Sequence, residues 1–212
     1  KMNSKTIGSL LILGTILTMG VWMVFDLGTD SMSAAERLKV FIANKTQVQI
    51  VTLVTSLGFI CLVLGLYYST RNLLENIVSE IGGLLLISSL PIMVALNMSD
   101  IVALEMEKQF SNGADILTAG SAFEGLIVMF MGGIFLIGIG LALERKFEYK
   151  YFMGGIIGVL LAITSGFALI DSFGIDFGID LGILDFIGWL GTWALMLVTG
   201  VLILLQKEKK KR

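Results

Sequence analysis

Histidine is absent from this chain of 212 residues, and cysteine and proline occur only once each. Without histidine, the sequence excludes Ser-His-Asp and Cys-His nucleophile systems and histidine-ligated zinc, copper and haem sites. The single cysteine, Cys61, excludes disulfides within the sequence and metal clusters held by several cysteines, so we expect it to be a small packing residue. The sequence therefore predicts no catalytic residue, no cofactor and no enzyme activity.

Charged residues are also scarce. They make up 15% of the chain, whereas a typical soluble domain has about a quarter. Hydrophobic residues reach 56% and the mean hydropathy is +0.90. They form blocks long enough to cross a bilayer as helices, the conformation in which a single segment satisfies its own backbone hydrogen bonds in lipid. The sequence predicts an all-α, polytopic membrane helical bundle.

Six apolar blocks define the predicted spans. They cover about 7–25, 48–68, 77–96, 116–143, 151–171 and 184–205, followed by a basic tail at 206–212. The connections are short, which predicts antiparallel neighbours in a single six-span membrane domain over residues 1–212. The first block lacks a small-residue cleavage site, so we expect a retained span rather than a signal peptide.

Two stretches between the spans have helical patterns. Residues 32–44, "MSAAERLKVFIAN", carry apolar side chains at helical spacing and predict a short interfacial helix on the outer side. Residues 99–115 predict either a second interfacial helix or a helical extension of the third span.

The distribution of charge predicts the orientation. Six spans place both termini on one side, which then holds 11 of the 15 Lys and Arg residues, so both termini are predicted to be cytoplasmic in the cell membrane. The opposite, outer side holds 12 of the 17 acidic residues. The only basic patch is the tail, so nucleic-acid binding has no support. The predicted partners are membrane lipids, with other membrane subunits or a second copy of the chain as candidate protein partners.

Four aspartates lie at the facing ends of the fifth and sixth predicted spans and in the connection between them, in "IDSFGIDFGIDLGILDF": Asp171, Asp176, Asp180 and Asp185. Their spacing does not put them on one helical face. Three interpretations remain: a solvated outer turn, which we favour, a site for a hard cation such as Ca²⁺, and a partner-binding surface. Glu124 is the candidate intramembrane acid, because a carboxylate inside a span is costly and usually functional; it would be a headgroup-level residue if the span begins near Ala122.

Small residues recur every fourth position in the fifth predicted span, at Gly154, Gly158, Ala162 and Gly166. Such a stripe allows another helix to approach closely, and close packing replaces the hydrophobic effect as the cause of helix association in lipid. The pattern predicts a helix-packing face for a partner helix inside the chain or on another protein.

Three segments resemble the prokaryotic six-span membrane family called domain of unknown function 4386. They are "KTIGSLLILGTILTMG" at the start, "GIGLALERKFEYKYFMGGIIGVLLAITSGFALIDSF" at the fourth-to-fifth junction, and "IGWLGTWALMLVTGVLIL" in the last span. The resemblance implies a six-span architecture, with a glycine-rich fifth span that ends at Asp171-Ser172 and a closing helix at 188–204. The acidic "FGIDFGID" segment departs from that pattern. The family has no established activity, so the resemblance implies no substrate.

Three classes of function remain open from the sequence. The favoured one is a non-catalytic accessory or structural subunit of a larger membrane assembly, because the loops are short and no active-site constellation is present. A small-solute or ion transporter or channel is the alternative; Pro91 and Glu124 are the features that suggest broken helices and midplane polarity. A histidine-free membrane enzyme is the third, and it would need paired acids at one depth.

Overall fold

The structure, a computed structural model, describes residues 2–29, 31–122, 126–144, 151–172 and 181–205, without side-chain detail at 122, 151–154, 171–172 and 181–185. Within these ranges the chain forms eight helices and no strand, which confirms the all-α prediction. In chain order they are α1 (Ser4–Phe25), α2 (Ala34–Ala43), α3 (Lys45–Asn72), α4 (Ile77–Phe110), α5 (Gly113–Ala122), α6 (Ile127–Leu143), α7 (Tyr151–Ser172) and α8 (Leu181–Leu205).

Four of these helices are long and apolar enough to cross a membrane: α1, α3, α4 and α8. The described parts of α6 and α7 supply two shorter apolar helices, Ile127–Leu143 and Gly155–Ile170. At a rise of about 1.5 Å per residue, the 17 residues of α6 extend about 25 Å, at the lower limit for a bilayer core of about 30 Å. The chain is therefore a multi-pass helical membrane protein by helix length and hydropathy.

The six apolar helices pack as a closed ring. Each contacts the next in the order α1, α3, α4, α6, α7, α8, and α8 returns to α1. This order follows the chain, because short connections make sequential helices neighbours. The buried core lies inside the ring, and its largest fully buried side chains include Ile7, Leu62, Leu86, Phe130 and Leu161.

Glycine lies in each of the six seams of the ring. At the α1–α8 seam, a Cβ added to Gly8 would lie 2.7 Å from the carbonyl oxygen of Gly200; at the α7–α8 seam, a Cβ on Gly188 would lie 2.8 Å from the amide nitrogen of Ala168. Real Cβ atoms do not approach so closely, so these backbones pack in direct contact. The same holds for Gly14 and Gly58 between α1 and α3, Gly82, Gly133 and Gly140 between α4 and α6, and Gly138 between α6 and α7. At Gly65 between α1 and α3 and at Gly83 between α3 and α4, the added Cβ would first meet the side chains of Leu11 and Thr70. Close packing of this kind drives helix association in lipid.

The stretch after the third predicted span continues its helix: α4 runs through Pro91 to Phe110, which confirms the helical-extension alternative for residues 99–110. One predicted boundary needs correction. The fourth span was predicted as one segment over 116–143; its first residues instead belong to α5, which ends at Ala122, and α6 begins at Ile127. Thr118 and Ser121 are exposed and polar, whereas Leu117 is buried against a different set of helices, so this segment differs from the apolar helix that follows.

The helices α2 and α5 pack together at one end of the ring, which we call the capped end. Here α1 finishes and α3 begins, and α4 contacts both short helices. A small second core forms at this end from Leu38, Phe41, Val48, Ala103, Leu104 and Leu117. The helix predicted over 32–44 is present as α2; Ser33 and Glu36 form a capping box at its start. Its outer-side location stays a prediction.

Candidate functional site

A cavity of about 650 Å³ opens inside the ring near the capped end. We call it the aromatic chamber, after the five aromatic side chains that line it, Trp22, Phe59, Phe186, Trp189 and Trp193. Its remaining lining residues are Thr18, Met19, Thr55, Asn97 and Leu190. The volume lies in the range of about 300–1,000 Å³ that is typical of sites for small molecules, as is a mostly apolar wall with a few polar groups.

All three tryptophans of the chain line this one chamber. Tryptophan is enriched where membrane proteins meet the headgroup region, and that tendency accounts for Trp22, whose side chain is 46% exposed. It does not account for Trp193, which is 5% exposed and lies in the core. The tryptophans therefore surround an interior space instead of forming only a belt against lipid.

The wall that α1 contributes has a local irregularity. Residues Ile16–Gly20 form a π-helical turn between two α-helical segments, and this turn carries Thr18 and Met19 into the chamber wall. The Thr18 hydroxyl donates to the carbonyl oxygen of Gly14 at 2.8 Å, so the hydroxyl hydrogen bonds to its own helix. Single π-helical turns occur often at functional sites, where they redirect side chains.

The floor of the chamber is a cluster of three aromatic rings. Phe59 meets Phe130 with ring centroids 6.0 Å apart and Trp193 at 6.1 Å, both in edge-to-face geometry. This geometry is favourable for aromatic quadrupoles. Beyond the floor, buried side chains fill the ring, and the small void between Leu66 and Met196 measures about 20 Å³. The chamber is thus open near the capped end and closed toward the other.

Asn97 on α4 is the polar residue that links the chamber wall to α3. Its Nδ2 lies 2.8 Å from the carbonyl oxygen of Thr52, and 2.7 Å from the hydroxyls of Thr55 and Ser56. A backbone carbonyl only accepts hydrogen bonds, so the amide nitrogen must face α3. The amide oxygen, Oδ1, accepts no hydrogen bond from the described residues and remains available to a ligand in the chamber.

Two smaller cavities, which we call the polar cavities, adjoin the chamber and share Trp22 and Asn97 with it; they measure about 340 and 220 Å³. Arg37 and Asp100 line both polar cavities, and Arg37 Nη2 donates to Asp100 Oδ1 at 3.1 Å. The guanidinium also lies over the Phe41 ring, 5.0 Å from its centroid. Arg37 Nε is buried without a partner among the described residues.

The residues predicted as sites from the sequence lie mostly outside this region. Glu124, Asp176 and Asp180 fall outside the described residues, and so do the side chains of Asp171 and Asp185. The cation-site and intramembrane-acid hypotheses therefore stay predictions. Among the described side chains, no group of three carboxylates or thiolates is placed to hold a metal ion.

The small-residue stripe on α7 faces α6 over the part that is described. A Cβ on Gly158 would clash with the backbone of Ala142, and one on Gly138 would lie 2.6 Å from the amide nitrogen of Ala162. A Cβ on Gly166 would have ordinary contact, 3.5 Å from the Phe135 ring. Gly154, the first residue of the stripe, belongs to the residues without described side chains. The partner of Gly158 and Ala162 is thus a helix of the same chain.

Sequence reasoning missed the aromatic chamber, although a signal for it exists. Trp22 stands near the end of the first span, and Trp189 and Trp193 near the start of the last, so alternating spans bring all three to one side of the membrane. Asn97 lies at the matching end of the third span. What a sequence without an alignment does not reveal is that α1 and α8 are neighbours.

Comparisons with known proteins add no relative: no protein-family model, no curated protein and no solved structure matches this chain. The resemblance to domain of unknown function 4386 accordingly stays a prediction.

Proposed function

We propose that this chain is a six-span, non-catalytic protein of the cell membrane that binds a small amphipathic molecule in the aromatic chamber. The observation that supports it is the position of all three tryptophans around one interior cavity of about 650 Å³. Tryptophan and tyrosine provide much of the binding energy in protein recognition, because they bury large areas with few rotamers to immobilise. The apolar walls suit the body of a ligand, and Asn97 Oδ1 suits a polar group.

The closed ring supports the six-span count. Both α6 and α7 lie between helices that are long enough to cross a bilayer, and each packs along its neighbours. The short length of α6 fits a span near the lower limit of about 17 residues. With six spans, the distribution of basic residues favours cytoplasmic termini and supports the proposal that the capped end, with the chamber opening, lies on the outer side.

Binding from the outer side agrees with the alternative drawn from the sequence, a small-solute transporter. Alternating access would require the floor ring of Phe59 to move away from Trp193, because the core below them is filled. The accessory-subunit hypothesis has less support, because the part of the stripe formed by Gly158 and Ala162 already packs against α6 of the same chain.

Intrinsic fluorescence tests the proposal, since all three tryptophans of the chain are chamber residues. The purified protein in lipid vesicles, which add no tryptophan, is titrated with decanol, decanoate and decyltrimethylammonium, which share one chain and differ in headgroup. We expect at least one of them to change the emission saturably. Trp189→Leu should weaken that binding by at least about tenfold, which corresponds to about 1.4 kcal/mol.

Phe110→Leu is the matched control, because Phe110 is an exposed aromatic residue at the end of α4 and does not line the chamber. Emission changes that remain linear in probe concentration for all three probes, as in simple partitioning into lipid, would contradict the proposal. Equal weakening by Trp189→Leu and Phe110→Leu would contradict it as well.

A further inference from the structure

We infer that the molecule bound in the aromatic chamber is an organic cation, an ammonium-type group carried on an apolar body. The inference rests on the proposed function and specifies its ligand class. It draws on three independent features of the described residues: the aromatic walls, the hydrogen-bonding groups left free, and the charges around the polar cavities.

The aromatic walls favour a cation. The face of an indole or phenyl ring carries negative potential, and cations within about 6 Å of a ring centroid are attracted to it, most strongly by tryptophan. Three tryptophans and two phenylalanines line the chamber. An anion would meet the same ring faces unfavourably, whereas an uncharged body would gain only burial.

The hydrogen-bonding groups that remain free near the chamber include two acceptor oxygens one helical turn apart on α4. They are Asn97 Oδ1, which faces away from the Thr52 carbonyl, and Asp100 Oδ2, to which no described residue donates. Arg37 Nε also has no partner among the described residues, but this donor is buried. Two free acceptors at this spacing suit a ligand that bears N–H donors or positive charge.

The charges around the polar cavities point in the same direction. Among the described residues, Asp100 and the guanidinium of Arg37 line both polar cavities, and a second carboxylate, Asp26, lines the smaller one. Arg37 is already paired with Asp100 and lies over Phe41, so one carboxylate charge remains unbalanced. The predicted outer side adds an excess of acidic residues, which raises the local concentration of cations.

The occupant is a free organic cation and not the choline headgroup of a phospholipid. A choline lipid brings a phosphate beside its ammonium, and the one arginine at the polar cavities is already neutralised by Asp100. Two acyl chains would also have to leave the ring, whose seams are closely packed at their glycines. A compact cation with apolar substituents has neither a phosphate to neutralise nor acyl chains to accommodate, and it fits a volume of about 650 Å³.

A pair of probes with the same shape and opposite charge tests the inference. Tetraphenylphosphonium and tetraphenylborate are titrated by calorimetry into the protein in nanodiscs of phosphatidylethanolamine, with empty nanodiscs as the blank. We expect saturable binding of the phosphonium, at least about tenfold tighter than any binding of the borate. Equal or tighter binding of the borate would overturn the inference while leaving the chamber as a ligand site.

Asp100→Asn should weaken phosphonium binding at least about tenfold, because it removes a carboxylate charge from the polar cavities and leaves the positive charge of Arg37 unbalanced. Glu105→Gln is the matched control, because it also removes a carboxylate from α4. The Glu105 carboxylate pairs with Lys45 at 2.8 Å, and Glu105 lines neither polar cavity. The wild-type charge preference is measured independently, so the test holds even if Asp100→Asn fails to fold. Equal weakening of phosphonium binding by both variants would show that Asp100 makes no specific contribution to binding in the chamber.

Two further outcomes complete the test. Competition of choline lipids, added to the nanodiscs, with the phosphonium would overturn the assignment to a free cation. If neither the phosphonium nor the borate binds, the cation inference is overturned. The proposed function is tested separately, by the fluorescence titration with the three decyl probes.

Discussion

The ring of Phe59 on α3 meets the indole of Trp193 on α8 edge-on, with the ring centroids 6.1 Å apart. The two helices are not neighbours in the ring, since α1 lies between them. Phe59 also contacts Phe130 of α6. Together, these two contacts close the chamber across the middle of the bundle. The floor is thus made by side chains from three separate helices.

Replacing Phe59 with alanine should open the floor and expose Trp193. The edge contacts with both rings are lost, and we expect the protein to lose about 2 kcal/mol of stability, below the ~3–5 kcal/mol for a fully buried phenylalanine because Phe59 is partly buried. Thermal unfolding in detergent measures the loss, and a red shift of tryptophan emission reports water at Trp193. Leu57→Ala, at a 58% exposed position on the same helix, is the control and should change neither. An unchanged melting temperature for Phe59→Ala would contradict the floor assignment.

Glycine substitutions on α7 should separate close backbone contact from open surface. Gly158→Ala places a methyl group against the backbone of Ala142 and should lower the melting temperature clearly. Gly155→Ala, three residues away on the same helix, meets nothing within 4 Å and should be neutral or slightly stabilising, because alanine favours helix over glycine. Gly166→Ala should behave like Gly155→Ala, since the ring of Phe135 leaves room at 3.5 Å. Equal destabilisation by all three would show that α6 packs differently on α7.

Asn97→Ala should cost about 0.5–2 kcal/mol, the range for hydrogen bonds between helices in membranes. The amide holds α4 to α3 through Thr52, Thr55 and Ser56. Asn72→Ala is the matched control, because its amide donates at 3.0 Å to Tyr68 within the same helix. Unfolding by denaturant measures both variants. A larger loss for Asn72→Ala would count against the bridging role of Asn97.

The start of α2 should respond to pH through Glu36. Hydrogen bonds from the Ser33 hydroxyl and backbone N–H lower the pKa of Glu36 below its ordinary value. A lowered folded-state pKa stabilises the helix above the unfolded pKa, and that stabilisation is lost as the pH falls through the folded pKa. The protection factors of the α2 amides, which compare the observed exchange rates with the intrinsic rates at the same pH, should accordingly fall in acid. Ser33→Ala should lower these protection factors at neutral pH and flatten their pH dependence; an unchanged dependence in this variant would rule out the capping box as its cause.

The orientation in the membrane is tested with single cysteines in a Cys61→Ala background. Lys39→Cys on α2 should react with an impermeant maleimide in intact cells, because the capped end is predicted to be outside. Lys5→Cys, at the start of α1, should react only after the membrane is permeabilised. Both positions are exposed, so accessibility does not limit the reaction. The reverse pattern would invert the predicted topology and place the chamber opening on the cytoplasmic side.

The apolar helices are predictable from composition because their hydrophobic blocks contrast with the charged connections. The structure of the connecting segments is harder to predict: residues 99–110 fitted either a separate helix or an extension of the third span, and α4 continues through Asp100 and Glu105, since helical backbone hydrogen bonding does not require apolar side chains. The chamber depends on Trp22 and Trp189 lining one cavity, which requires the first and last helices, α1 and α8, to be neighbours. Local pattern carries no information on that closure, which comes from packing at Gly8 and Gly200.

Photolabelling provides the most direct measurement of the central claim, that a small amphipathic molecule occupies the aromatic chamber. A decyltrimethylammonium analogue with a diazirine in its chain is bound to the protein in nanodiscs, irradiated, and its attachment sites are mapped by mass spectrometry. Binding in the chamber predicts saturable labelling of Met19, Trp22, Trp189 and Leu190, suppressed by excess unlabelled probe. Labelling confined to lipid-facing residues such as Val159 and Ile163, without suppression by excess probe, would contradict it.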